Sequence, residues 1–74
     1  MNSGMLWLDT DKKRSLEEKV RRAAAYYEEK YGQRPELCLV RKGALAEEKL
    51  IAAVSVRPVT NMVAHHFLLG MEGV

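Results

Sequence analysis

SLEEKVRRAAAYYEEKYG, residues Ser15 to Gly32, reads as an amphipathic helix with both ends marked. Leu16, Val20, Ala23, Ala24, Tyr27 and Tyr31 fall on one stripe of a 3.6-residue repeat, so a single face seeks a core. Ser15 and Glu18 have the spacing of a capping box, in which hydroxyl and carboxylate each satisfy an orphan N–H of the first turn. Glu17–Arg21 and Glu18–Arg22 stand at i, i+4 with the acid first, the favourable orientation. Gly32 supplies a left-handed stop and Pro35 blocks continuation. The expected helix begins between residues 12 and 16 and ends at residue 31.

The flanking segments read as strands. Met5-Leu6-Trp7-Leu8 is a short apolar run stopped by Asp9-Thr10-Asp11, and Glu36 to Lys42 is apolar on alternating sides until its basic end. One helix between two strands suggests a right-handed crossover with those strands parallel. Ala44 to Lys49 has helix-forming residues over only one or two turns, and Leu50 to Ala53 suits either helix or strand. Val54-Ser55-Val56-Arg57 alternates as a half-buried strand, Pro58 marks its end, an edge or a bulge, and Thr60-Asn61 is a turn. Met62 to Leu69 is a last strand, expected to close a hairpin with the preceding one. The expected fold is therefore α+β: a two-layer sandwich with one long helix on a small mixed sheet of about four strands, in the order β-α-β-(short α)-β-β. Residues 1–4 are expected to be a disordered leader, 5–70 the single domain and 71–74 a frayed tail.

Composition bounds the function. The chain has 74 residues, 47% apolar and 30% charged, with a net charge of +2. That suits one folded domain and gives no strong field for steering a polyanion. The lone Cys38 excludes an internal disulfide, and with two histidines it is too little for a structural zinc site within one chain. No apolar run approaches the roughly 18 residues of a membrane span, and the start lacks the basic segment of a signal peptide. A cytoplasmic protein without a cofactor and without a membrane partner is the expectation. At this length apolar burial barely offsets conformational entropy, so oligomerisation or very good packing must add to it.

Strand parity makes that expectation concrete. One helix covers one sheet face, yet the strands are apolar on both. Met5, Trp7, Cys38, Val40, Met62 and Leu68 are the candidates for the face left to a second copy or a protein partner, which makes a homodimer the expected state.

Chemistry-bearing residues are sparse. His65 and His66 are adjacent, so in a regular strand they point to opposite faces and cannot chelate one metal together. A histidine carried into an interface would make association pH-sensitive. Cys38 between two leucines reads as a small buried hydrophobe, with His65 or His66 as a base only if the strands bring them together. Lys12, Lys13, Arg14, Arg21 and Arg22, with Lys19, form the best case for gripping nucleic acid, extended by Arg34, Arg41 and Lys42. Acidic side chains interrupt that cluster, so nucleic acid is not the favoured partner. Asp9 and Asp11 suit a helix-start turn better than a cation site. No P-loop, dinucleotide fingerprint or nucleophile elbow is present, so the chain is not expected to be an enzyme; a hydrolase using His65 or His66 with Arg57 ranks last. The leading expectation is a small homodimeric interaction or accessory protein.

Overall fold

The computed structural model of the protein describes residues 4–72. It is an α+β sandwich with one helix on a mixed sheet of five strands, one more than expected. The elements are β1 (Gly4–Leu8), α1 (Leu16–Tyr31), β2 (Leu37–Arg41), a 3₁₀ turn (Lys42–Ala44), β3 (Lys49–Ile51), β4 (Val54–Val59) and β5 (His66–Gly70). Across the sheet they lie β1-β5-β2-β4-β3. No helix among the described residues is long and apolar enough to cross a membrane.

The helix ends as its sequence dictates. Ser15 Oγ accepts the Glu18 N–H at 3.2 Å, and Gly32, at φ 76°, donates its N–H to the Glu28 carbonyl at 2.8 Å. Val20, Ala23, Ala24 and Tyr27 are buried on the sheet. Leu16 packs at the core's margin, whereas Tyr31, at the other end of the stripe, lies in solvent against Tyr27, ring centroids 4.6 Å apart. Of the expected i, i+4 ion pairs, Glu17 instead meets Lys49 of β3 at 3.0 Å. Lys49 is at the free edge beside the helix, and this pair ties α1 to the sheet.

β1 and β2 are parallel, as the crossover requires, but β5 lies between them and is antiparallel to both. The expected β4–β5 hairpin does not form. β4 instead pairs in parallel with β2 and antiparallel with β3. β5 carries buried Phe67, Leu69 and Gly70, and a central position places neighbours on both its edges. Gly70, the last residue of the expected domain, pairs with both Gly4 and Leu37. Gly4, placed in the expected leader, is the first residue of β1, and Glu72 is held by Glu36 Oε1 through its N–H at 2.9 Å. Residues 1–3 of the leader and 73–74 of the tail lie outside the described residues. Pro58 sits in β4 beyond the end of β3, where its missing N–H leaves no ladder bond unmade.

No helix forms at Ala44–Lys49. Six residues are too short to nucleate one alone, and burial of Ile51 against Val54 favours a hairpin. Its two-residue turn, Ala52-Ala53, has both residues left-handed, at φ 52° and 65°. That geometry normally selects Asn-Gly. Arg34 Nη2 donates to the Ala52 carbonyl at 2.8 Å and braces the turn. Since Ala53 is exposed, its left-handed backbone is a cost without compensating packing. Ala53→Gly is expected to stabilise the fold by about 0.5–1 kcal/mol net of the extra glycine entropy. A urea midpoint that falls in this variant would contradict the strained turn.

Candidate functional site

Which sheet face the helix takes follows from register. Met5, Leu69, Cys38 and Val56 form one row across β1, β5, β2 and β4, and Trp7, Phe67 and Val40 lie in the next. These side chains meet α1. Met5, Cys38 and Val40 are 6%, 0% and 1% exposed, and Trp7 packs against the same core with Tyr26 over it at 5.0 Å. Four of the six residues expected on the open face are thus beneath the helix. Both faces of these strands are apolar, so parity alone could not choose between them. Met62 is half-buried in the loop before β5; of the six, only Leu68 stands on the open face.

The open face is the other parity. Leu6, Leu68 and Leu39 form one row across β1, β5 and β2, followed by Arg57 on β4. Leu8 extends the patch along β1, beside His66, and Leu37 flanks it on β2. Leu6 is 61% exposed and Leu8 57%, although both belong to a regular strand. Among the described residues no element lies over this row.

Beyond the leucines stands a strip of charge. Arg57 donates from Nη2 to Glu72 at 2.8 Å and from Nε to Glu48 at 3.2 Å, and Ser55 Oγ donates to the same Glu48 oxygen at 2.7 Å. The Ser55 hydroxyl and the Arg57 guanidinium hold the Glu48 carboxyl below its ordinary range, and Glu72, then Glu48, raise Arg57. Both carboxylates share the one Arg57 guanidinium, so the leucines border a hydrogen-bonded network that keeps one net negative charge.

At the end of the sheet, Asp9 organises the β1–α1 connection. It is 5% exposed and accepts from the Asp11 N–H and from Arg14 Nε, each at 3.0 Å. Arg14 also meets Asp11 at 3.2 Å. Burial raises the Asp9 carboxyl, but the Asp11 amide and the Arg14 guanidinium outweigh it, leaving the group below its ordinary value. The Asp9 N–H donates to the His65 carbonyl at 3.0 Å and so joins this connection to the start of β5. The Asp-x-Asp-x-x-Arg spacing signals the cluster in the sequence, yet Arg14 had been grouped with the basic residues. Engaged twice, it is removed from the nucleic-acid set. Lys12, Lys13, Arg21 and Arg22 are exposed and meet no carboxylate within 4.0 Å among the described residues.

Cys38 is fully buried, and desolvation pushes its thiol up to about 12. It pairs with Leu69 in the core row, whereas His66 follows the Leu68 parity, so no cysteine–histidine pair forms. His66 Nδ1 donates to the Ala64 carbonyl at 2.9 Å. His65 is exposed just before β5, with a left-handed backbone at φ 66°, so the two rings do not alternate on one regular strand. Arg57 belongs to the charged strip. No group of three or more potential metal ligands gathers among the described residues.

Comparison with protein-family models, curated proteins and solved structures finds no match to this chain.

Proposed function

We propose that the protein is a homodimeric interaction module, joined to a second copy through the Leu6–Leu68–Leu39 face. The observation that carries this reading is the leucine row in register on three adjacent strands, opposite the helix. Burying a leucine side chain stabilises by about 1.5–3 kcal/mol, so several leucines meeting their symmetry mates supply what a domain of this length lacks. A second copy suits the surface better than a charged partner. The adjoining Glu48–Arg57–Glu72 network is internally paired, and the apolar part is its own complement across a two-fold axis. The dimer then presents each helix face and sheet end outward, twice, as an accessory subunit does when it brings partners together.

A polynucleotide held by Lys12, Lys13, Arg21 and Arg22 is the second reading, supported by their lack of carboxylate partners among the described residues. Light scattering tests the first: the expected mass at micromolar concentration is twice the 8.4 kDa of the chain. A mass of one chain throughout would remove the dimer. Steeply salt-dependent binding to DNA or RNA would then favour the second reading.

A further inference from the structure

The carboxyl ends of the parallel pair β2 and β4 open into a cleft at the end of the sheet, beside the start of α1. Its outer part is a groove of about 570 Å³ walled by Arg41, Lys42, Ala44, Thr60 and His65. Its inner part is a cavity of about 130 Å³ between Leu16, Val40 and Phe67, with Lys19 and His66 at its walls. Arg41, Ala44 and His65 line both, so the two parts adjoin.

The charge of the cleft is one-sided. Arg41, Lys42 and Lys19 line it, and no carboxylate does. Arg14, Lys49 and Arg57 are each paired with an acid within 3.2 Å, whereas these three cations, like Lys12, Lys13, Arg21 and Arg22, have no such partner within 4.0 Å among the described residues. Arg41 carries a planar fork of donors and Lys42 a mobile ammonium, the pair of groups that phosphoryl oxygens take up. The Thr60 hydroxyl and the His65 ring add hydrogen-bonding capacity beside them. The left-handed backbone at His65 is secured by the Asp9 N–H on its carbonyl, which fixes the histidine at the junction of groove and cavity.

The inner cavity adds a second requirement. Leu16, Val40 and Phe67 give it an apolar side, opposite the polar residues Lys19, Arg41, His65 and His66 that complete its lining. At about 130 Å³ the space is of the order of one six-membered ring, too small for the fused rings of a purine.

We propose that this cleft binds a pyrimidine nucleotide unit, with the single base ring in the Leu16–Val40–Phe67 cavity and the phosphate on Arg41 and Lys42. The same chemistry is offered by a free mononucleotide and by one residue of a single strand. The ring sits inside and the phosphate outside because Arg41 and Lys42 stand together in the outer groove, whereas the apolar side chains of Leu16, Val40 and Phe67 are found only in the inner part.

The test is an amide NMR titration of the full chain at low salt with uridine 5′-monophosphate, uridine, inorganic phosphate and a short oligouridylate. Expected are localised shifts at Arg41, Lys42, Thr60 and His65, with uridine 5′-monophosphate binding at least about tenfold more tightly than uridine or phosphate alone. Arg41→Gln with Lys42→Gln should weaken it by about tenfold or more, while Lys12→Gln with Lys13→Gln, equal in charge, should not. Tighter binding of the oligouridylate than of the mononucleotide would assign the unit to a strand; the reverse would assign it to the free nucleotide. Equal response to phosphate and mononucleotide, shifts insensitive to the Arg41 and Lys42 changes, or no localised shift would overturn the proposal.

Discussion

Leu68→Glu is expected to leave a folded protein with half the mass of the parent. Leu68 is half-buried in a single chain, at the centre of the row between Leu6 and Leu39, and its side chain is not part of the core beneath the helix. A carboxylate there meets only water in the separated protomer. In the dimer it would be desolvated among leucines and face its own symmetry mate, so both burial and like charge oppose association. A loss of about 3 kcal/mol, or roughly 100-fold in dissociation constant, is the expected size. Light scattering at matched concentrations, with circular dichroism to confirm the fold, reads the result. Unchanged mass with native dichroism would place any dimer contact elsewhere.

Asp9→Ala acts on the fold itself. The carboxylate satisfies the Asp11 N–H and Arg14 and is almost wholly buried. Its removal strands those donors at a connection that also fixes the His65 carbonyl. Arg14 keeps Asp11 and partial access to water, which limits the loss to about 2–3 kcal/mol. A domain of this length has roughly 4–11 kcal/mol in total, so the change is large. The same group gives a signed pH response. Its folded value is below its unfolded one, so its contribution is complete above the unfolded aspartate value, about 3.9, and is lost as pH falls through the folded value. Glu17, held down chiefly by the Lys49 hydrogen bond, and Glu48 act in the same direction. Urea midpoints should therefore fall below about pH 4, and the fall should be shallower in Asp9→Ala. Equal slopes in the two proteins would show that Asp9 is not preferentially ionised by the fold.

What could be seen in the sequence was local. The helix was legible because its stripe, its serine cap and its glycine stop lie within eighteen consecutive residues. The presence of a second apolar face was legible from strand parity; its identity was not, because Leu6 and Leu8 alternate with Met5 and Trp7 on equal hydrophobic terms. β3 escaped because Ala52-Ala53 offers none of the residues that normally mark a left-handed turn. The place of β5 between β1 and β2 depends on pairing Leu69 with both Met5 and Cys38, a choice made between distant segments. The same non-locality hid the cleft. Arg41, Lys42 and His65 were each noticed, but only the fold brings the ends of β2 and β4 to the start of β5.

The most direct measurement on the leucine face is cross-linking through a single cysteine placed on it. Native Cys38 is buried and its thiol is pushed up to about 12, so it does not compete. Leu68→Cys, near the expected two-fold axis, should be converted by a short bis-maleimide to a covalent dimer at micromolar protein, whereas Glu29→Cys on the exposed helix surface should stay a single chain. Failure of Leu68→Cys to link, or equal linking by Glu29→Cys, would contradict a dimer built on the Leu6–Leu68–Leu39 face.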